Sequence, residues 1–153
     1  MRDDSPVQAS LLFDKTLKPG NAAVAIIVLD DGNYLLQLRD EIPGIYFPGH
    51  WGLFGGAMDK GETAEDALRR ELREELSVDI HAMTYFTEFT FDFPAHGRIL
   101  RHFYEVLATP DMVGRMVLAE GADMRAFPAS HIMTELRVTP YDSFAIWMHA
   151  MRR

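Results

Sequence analysis

Residues 56–78 read GAMDKGETAEDALRRELREELSV, in which a loop with two glycines leads into a helical pattern. Thr63 is the expected N-cap, because Asp66 follows three residues later as in a capping box. At about 100° per residue, one arc of the helix collects the small and apolar side chains: Ala64, Ala67, Leu68, Leu72 and Leu76. This arc predicts a helix that begins at Ala64 and buries its leucine face.

Three glutamates conflict with that apolar arc. Glu71 and Glu75 fall inside it and Glu74 lies at its edge, and their spacing places them side by side. Burying ionised carboxylates without partners costs several kcal/mol each, so the pattern calls for a compensating charge. A divalent cation such as Mg²⁺, which prefers oxygen ligands, would supply it. A solvated, salt-bridged helix face is the alternative.

The whole stretch resembles the Nudix box, which reads G, five residues, E, seven residues, R-E-U-x-E-E-x-G-U, with U a bulky apolar residue. The matching residues are Gly56, Glu62, Arg70, Glu71, Leu72, Glu74, Glu75 and Val78. Ser77 stands where the box has its last glycine. A left-handed residue would close the helix there, and serine adopts that conformation only with some strain. We interpret Ser77 as a tolerated helix-end variant.

The resemblance implies an α/β/α sandwich with a mixed β-sheet. It also implies a hydrolase of nucleoside diphosphates linked to another moiety, such as nucleoside triphosphates, nucleotide sugars or ADP-ribose. In such enzymes water attacks a phosphorus of the diphosphate, while Mg²⁺ or Mn²⁺ neutralises charge on the phosphoryl oxygens.

Roles carry over by position in the box. The implied metal ligands are Glu71, Glu75, Glu74 and the backbone carbonyl of Gly55. Glu74 also matches a base that positions water. The implied catalytic residues include Glu74 and Arg70. Arg70 would act by a charge pair with Glu62 that joins the loop to the helix. Gly56 and Glu62 are structural support.

Further candidates lie outside the box. Glu120, in LAEG (118–121), resembles a glutamate that serves as general base or additional ligand in mutator-type pyrophosphatases, although such a residue is also common in loops. The substrate-binding candidates are Arg39, Tyr46, Arg101 and Asp142. The arginines, Arg98 among them, would bind phosphate or occupy solvated strand and loop positions. Tyr46 would stack on a base or belong to the core, and Asp142 would read a base edge or simply begin a helix. Pro94 resembles a marker of ADP-ribose hydrolases, but proline is common in turns.

Composition limits the remaining functions. The chain has 153 residues, a formal charge of −8 and no cysteine, which predicts a single domain over residues 1–153 without disulfides or thiolate metal sites. The negative charge argues against binding to nucleic acid polymers, and the sequence has neither a leader pattern nor an apolar run long enough for a membrane span. We therefore expect a cytoplasmic protein whose partner is a small nucleotide. The resemblance also implies that the protein could form a homodimer.

The apolar runs predict strands over 22–29 and 34–39 around a turn at 30–33, followed by a loop over 40–50. A long strand from about 80 to 93, a turn at 94–97 and a partner strand to about 107 follow the helix. A short strand at 124–127 precedes helices over 129–136 and from 141 to the C-terminus.

Three function classes are compared with this sequence. A metal-dependent hydrolase leads, because every carboxylate of the box is present. A non-catalytic nucleotide-metabolite sensor is the alternative. The third class is isopentenyl diphosphate isomerisation on the same fold, and the sequence lacks the cysteine that this reaction needs.

Overall fold

The computed structural model describes residues 20–93 and 97–153. The strands are β1 (Ala22–Leu29), β2 (Tyr34–Leu38), β3 (Trp51–Gly52), β4 (Phe54–Ala57), β5 (Thr84–Phe93), β6 (Gly97–Ala108) and β7 (Asp123–Phe127). The helices of this part of the chain are α1 (Ala64–Leu76), α2 (Pro110–Arg115), α3 (Ala129–Thr134) and α4 (Pro140–Ala150).

All seven strands form one mixed sheet around β1. On one side β1 pairs in parallel with β6, from Ala22 opposite Arg101 onward, and β6 pairs antiparallel with β5. On the other side β1 meets β2 only near their shared turn. Residues 51–57 fill the space where β1 and β2 separate, because β3 pairs with β2 and β4 pairs with β1. β7 pairs with β2 in turn.

Helices cover both faces of this sheet. The side chains of β1 alternate, so that one set packs with Leu68 and Leu72 of α1 and the other with Ile132 of α3 and Ile146 of α4. A strand buried on both faces has to be apolar throughout, which explains the continuous run AAVAIIVL. The predicted α/β/α sandwich with a mixed sheet is confirmed. No helix in the described residues has the length and apolar character needed to cross a membrane.

The ends of α1 agree with the sequence pattern. Thr63 is the N-cap, and its hydroxyl accepts a hydrogen bond from the backbone N–H of Asp66 at 3.1 Å. Ser77 ends the helix with φ 56° and ψ 32°, a left-handed conformation, as expected for the position that the box gives to glycine. Between these ends Glu75 is buried beside Leu72 and Leu76.

Several elements differ from the sequence-based expectation. Strands β3 and β4 follow the predicted loop over 40–50 at residues for which no strand was predicted, and helix α2 has no counterpart among the predicted elements. Strand β5 begins at Thr84, although Ile80 is buried against α1. Helix α3 ends at Thr134 and α4 at Ala150, earlier than predicted. Most of the predicted turn at 94–97, with Pro94, lies outside the described residues.

Candidate active site

Two glycines bring strand β4 against the carboxylates of α1. The backbone N–H of Gly55 donates to Oε2 of Glu75 at 2.9 Å. A Cβ atom at Gly56 would lie 2.8 Å from the carboxylate carbon of Glu71. Any residue other than glycine would therefore displace this carboxylate. Gly55 itself has φ +129°, where a side chain would collide with the backbone of β1. The pair therefore permits a close approach of backbone and carboxylates.

Burial makes these carboxylates resist ionisation. Glu75 is only 5% exposed, and desolvation raises its pKa to about 8, with Glu71 and Glu120 adding repulsion and the Gly55 N–H opposing the shift. Desolvation also raises the pKa of Glu71, against the effect of Arg70. Carboxylates that disfavour each other's charge bind a cation readily.

Arg70 links the loop before α1 to the helix. Its Nε and Nη2 donate to the two carboxylate oxygens of Glu62 at 2.9 and 2.8 Å, and Nη2 also donates to the carbonyl of Ala57 at 3.0 Å. Its Nη1 donates to Glu71 at 2.9 Å and to Glu74 at 3.4 Å. Arg70 holds the pKa of Glu62 down at about 2, with help from the Asp59 N–H. The predicted charge pair is thus present, and it extends to Glu71.

Glu74 and Glu120 occupy different positions around the buried carboxylates. Glu74 is half-exposed on α1. Glu120 is exposed in the turn before β7, and it lines an acidic cleft of about 150 Å³ together with Glu75 and Gln37. Gln37 is a residue that the sequence pattern did not suggest: it is buried, and its Nε2 donates to the carbonyl of Leu53 at 3.2 Å.

The carboxylates suit a divalent cation, although their side chains are turned to protein donors. Among residues 20–93 and 97–153, no three His, Asp or Glu side chains are already arranged to hold a metal ion. Glu71 instead faces Arg70, and Glu75 faces the Gly55 N–H. The donors that Glu71, Glu75 and Glu120 offer are oxygens, which hard cations such as Mg²⁺ prefer.

A pocket of about 240 Å³ adjoins the same glycines, and we call it the glycine pocket. Its lining includes Arg39, Tyr46, Leu53, Gly55, Gly56, Ile99, Arg101 and Tyr141. Three of the four substrate-binding candidates therefore meet at one pocket beside Gly55. Arg98 lies elsewhere, because it is 70% exposed and pairs with Asp92. Arg39 lines both this pocket and the acidic cleft.

Asp142, the fourth candidate, lies behind the pocket rather than on its lining. Its Oδ2 accepts from the backbone N–H of Leu53 at 3.0 Å and from the hydroxyl of Thr139 at 2.7 Å. Its Oδ1 accepts from Nη2 of Arg101 at 3.0 Å. Asp142 is 2% exposed, so the structure places it in contact with Arg101 instead of with the space that a substrate would fill.

Comparisons with known proteins agree on the family. The NUDIX domain family matches residues 19–146. The nucleoside triphosphatase NudI of Escherichia coli is 44% identical over 68 residues, which are 44% of this chain and 47% of NudI. That alignment reaches about half the length of the relative.

Solved structures share the fold. A MutT protein from Methanosarcina mazei superimposes with a TM-score of 0.73 at 18% identity, covering 88% of this chain and 96% of that one. A MutT NUDIX hydrolase from Burkholderia pseudomallei gives 0.69 at 25% identity, covering 86% and 98%. Because the family match extends over most of the residues, the chain belongs to the NUDIX domain family.

Proposed function

We propose that this protein is a metal-dependent pyrophosphohydrolase of small nucleotides, which cleaves the diphosphate of a nucleoside triphosphate, a nucleotide sugar or ADP-ribose. The observation that carries the proposal is the burial of Glu75, whose pKa is raised to about 8, beside Gly55 and a pocket lined by two arginines. Buried carboxylates without a cation would only destabilise the fold. The nucleoside triphosphatase NudI relatives support the triphosphate as the first substrate to test.

The cation would be held by Glu71 and Glu75, with Glu74 and the backbone carbonyl of Gly55 completing the shell. Mg²⁺ is the expected ion, and Mn²⁺ is the alternative. When bound, it supplies charge neutralisation on the phosphoryl oxygens and favours formation of the nucleophile from water. Arg70 positions Glu71 through the 2.9 Å hydrogen bond and leaves the chemistry to the carboxylates.

The chain also has to take a proton from the attacking water. Oxygen of the water forms a bond to phosphorus, the P–O bond to the leaving phosphate breaks, and the proton passes to a carboxylate. Glu74 and Glu120 are the two candidates for this base, because each has an exposed carboxylate next to the buried pair. Arg39 would bind the phosphate oxygens, since it lines both the acidic cleft and the glycine pocket.

The test is a panel of nucleoside triphosphates, nucleotide sugars, ADP-ribose and dinucleotides, with Mg²⁺ or Mn²⁺ and release of phosphate or nucleotide as the readout. Glu71→Gln and Glu75→Gln should abolish turnover of the substrate that the wild type accepts. Glu65→Gln is the matched control, because Glu65 is exposed in the first turn of the same helix. Nucleotide binding without turnover, unchanged in the glutamine variants, would identify a sensor instead.

A pH–rate profile separates the two candidate bases. We expect the variant that removes the base, Glu74→Gln or Glu120→Gln, to lower kcat by about 10²–10⁴-fold, with loss of the acidic limb of the profile. The other variant should raise the metal concentration needed for half-maximal rate and keep that limb.

A further inference from the structure

Arg101 is held in a fixed position at the glycine pocket. Its Nη2 donates to Asp142, its guanidinium carbon lies 4.1 Å from the centre of the Tyr141 ring, and its side chain is 14% exposed. Asp142 is itself fixed by Thr139 and by the N–H of Leu53. A guanidinium that is restrained in this way can bind a ligand without losing further side-chain freedom.

The guanidinium retains unused donors. Arginine has five N–H donors and no acceptor. Among the described residues the bond to Asp142 is the only hydrogen bond of this guanidinium, and its Nε is buried without an acceptor there. Because the side chain as a whole is still 14% exposed, a ligand in the pocket that brings acceptors can pair with the donors left on its Nη atoms.

The rest of the lining adds positive charge without adding negative charge. Arg39 is the second cation, its Nε occupied by the carbonyl of Tyr46 at 2.7 Å. Within residues 20–93 and 97–153, no aspartate or glutamate lines this pocket, although the chain carries a formal charge of −8. The glycine pocket therefore matches a group that presents oxygen acceptors.

The position of Arg101 indicates which end of a nucleotide reaches it. Arg101 and Phe103 point from β6 to the face of the sheet that α3 and α4 cover. Glu71 and Glu75 belong to α1 on the opposite face, with Gly55 and Gly56 between them and the pocket. With the phosphates held at these carboxylates, the nucleoside end would extend past the glycines into the pocket, toward Arg101.

We propose that Arg101, positioned by Asp142 and Tyr141, selects nucleotides whose base has a keto oxygen where the disfavoured base has an amino group. This inference rests on the proposed function, and it names the substrate class of the same site. A keto oxygen accepts from the guanidinium, as in the recognition of guanine by arginine. An amino group at that position would place donor against donor, which rejects the ligand.

Two matched nucleotide pairs test the selection. ITP and ATP share sugar and phosphates and differ at C6 of the purine and its adjoining nitrogen, and UTP and CTP differ likewise at C4 of the pyrimidine. We expect the wild type to favour the keto member of each pair by about tenfold or more in kcat/KM. In Arg101→Met this ratio should fall to within about twofold through loss of the keto member alone, because the variant keeps the apolar stem and removes the donors.

Control variants separate this role from general charge and from folding. Arg98→Met removes an exposed arginine of the same strand and should leave both ratios unchanged. Arg101→Lys keeps a cation beside Asp142 but replaces the fork of donors by a point charge, so it should retain the fold and lose much of the keto preference. Asp142→Asn tests the positioning role: it should raise KM for the keto members more than for the amino members.

Equal losses for both members of a pair in Arg101→Met and Arg101→Lys would overturn the proposal, because Arg101 would then bind a phosphate. A wild type that favours the amino members would overturn it as well. If the wild type hydrolyses none of the four nucleotides, the proposed function fails for nucleoside triphosphates, and the inference is tested separately. Calorimetric dissociation constants for the same pairs with Mg²⁺ then decide: a keto preference that Arg101→Met removes supports the inference, and equal affinities overturn it.

Discussion

Gly56 and Glu71 are so close that a Cβ on Gly56 would lie 2.8 Å from the carboxylate carbon of Glu71. The atom in the way is the end of a flexible side chain, so Gly56→Ala can fold by moving that carboxylate. We expect Gly56→Ala to lower kcat/KM about tenfold or more, while the thermal midpoint changes by only a few degrees.

Gly55→Ala is the contrasting variant. A Cβ there would lie 2.3 Å from the backbone oxygen of Ala23, at φ +129°. Moving the strand backbone and keeping a side chain at this dihedral angle would both cost free energy. This variant should lose about 2 kcal/mol or more of unfolding free energy, measured by urea denaturation. Equal stability losses in the two variants would contradict this view of the glycine pair.

The stability of the metal-free protein should fall as the pH rises. The pKa of Glu75 is about 8 in the folded state against an ordinary value of 4.5, so between those values the folded state binds more protons than the unfolded state. The contribution of this shift to the free energy of unfolding is fully present below pH 4.5 and is lost as the pH rises through 8. In that range the free energy of unfolding falls by up to about 1.4 kcal/mol per pH unit. The raised pKa of Glu71 acts in the same direction.

Urea midpoints of protein treated with EDTA, taken between pH 5 and pH 8.5, would measure that slope. Glu75→Gln should flatten it, and Mg²⁺ should flatten it in the wild type. Glu62 has the opposite dependence, because its lowered pKa contributes stability that is lost only as the pH falls below 4.5 toward 2. A midpoint that rises between pH 5 and pH 8 would contradict the burial of ionisable Glu75.

Arg70 should contribute more to stability than its neighbour Arg69. Arg70 bonds to Glu62, Glu71 and Ala57 from a partly buried position, so Arg70→Met should cost about 1–3 kcal/mol of unfolding free energy. It should also lower kcat, because Glu71 loses its restraint. Arg69→Met removes only the exposed pairs with Glu65 and Asp66 and should change stability by less than about 0.5 kcal/mol.

Ser77→Gly should stabilise the protein. Ser77 has φ 56°, which glycine adopts without the cost that a Cβ imposes, so the gain should be up to about 1 kcal/mol. Because α1 keeps its position, kcat should not change. Ser77→Ala is the control: it retains the Cβ and should give no gain in thermal midpoint.

Local patterns in the sequence were sufficient for helix α1 and its carboxylates. The cap at Thr63, the left-handed end at Ser77 and the inward direction of Glu75 all follow from positions along one helix. Strand β4 was missed because FGGA has little strand propensity, and its place comes from distant pairing with β1. Helix α2 did have a local signal, since Thr109 caps it and Pro110 begins it.

The contacts that shape the glycine pocket could not be read from local pattern. Arg101 and Asp142 were each identified as candidates, but their mutual hydrogen bond joins residues 41 positions apart. Gln37 gave no signal at all, because a single glutamine in an apolar strand is indistinguishable from a solvent-facing residue until β3 and β7 enclose it. The pairing of elements that are distant in the chain therefore determines these contacts, which the spacing of residues in the sequence does not predict.

The insertion of residues 51–57 between β1 and β2 has a consequence for the order of folding. The first hairpin can close only near its turn, and completion of the centre requires β6, which is distant in the chain. Such non-local pairing is slow compared with helix formation. During refolding, the far-UV circular dichroism signal of the helices should therefore recover before turnover does, because Gly55 meets Glu75 only when the strands have reached their final order.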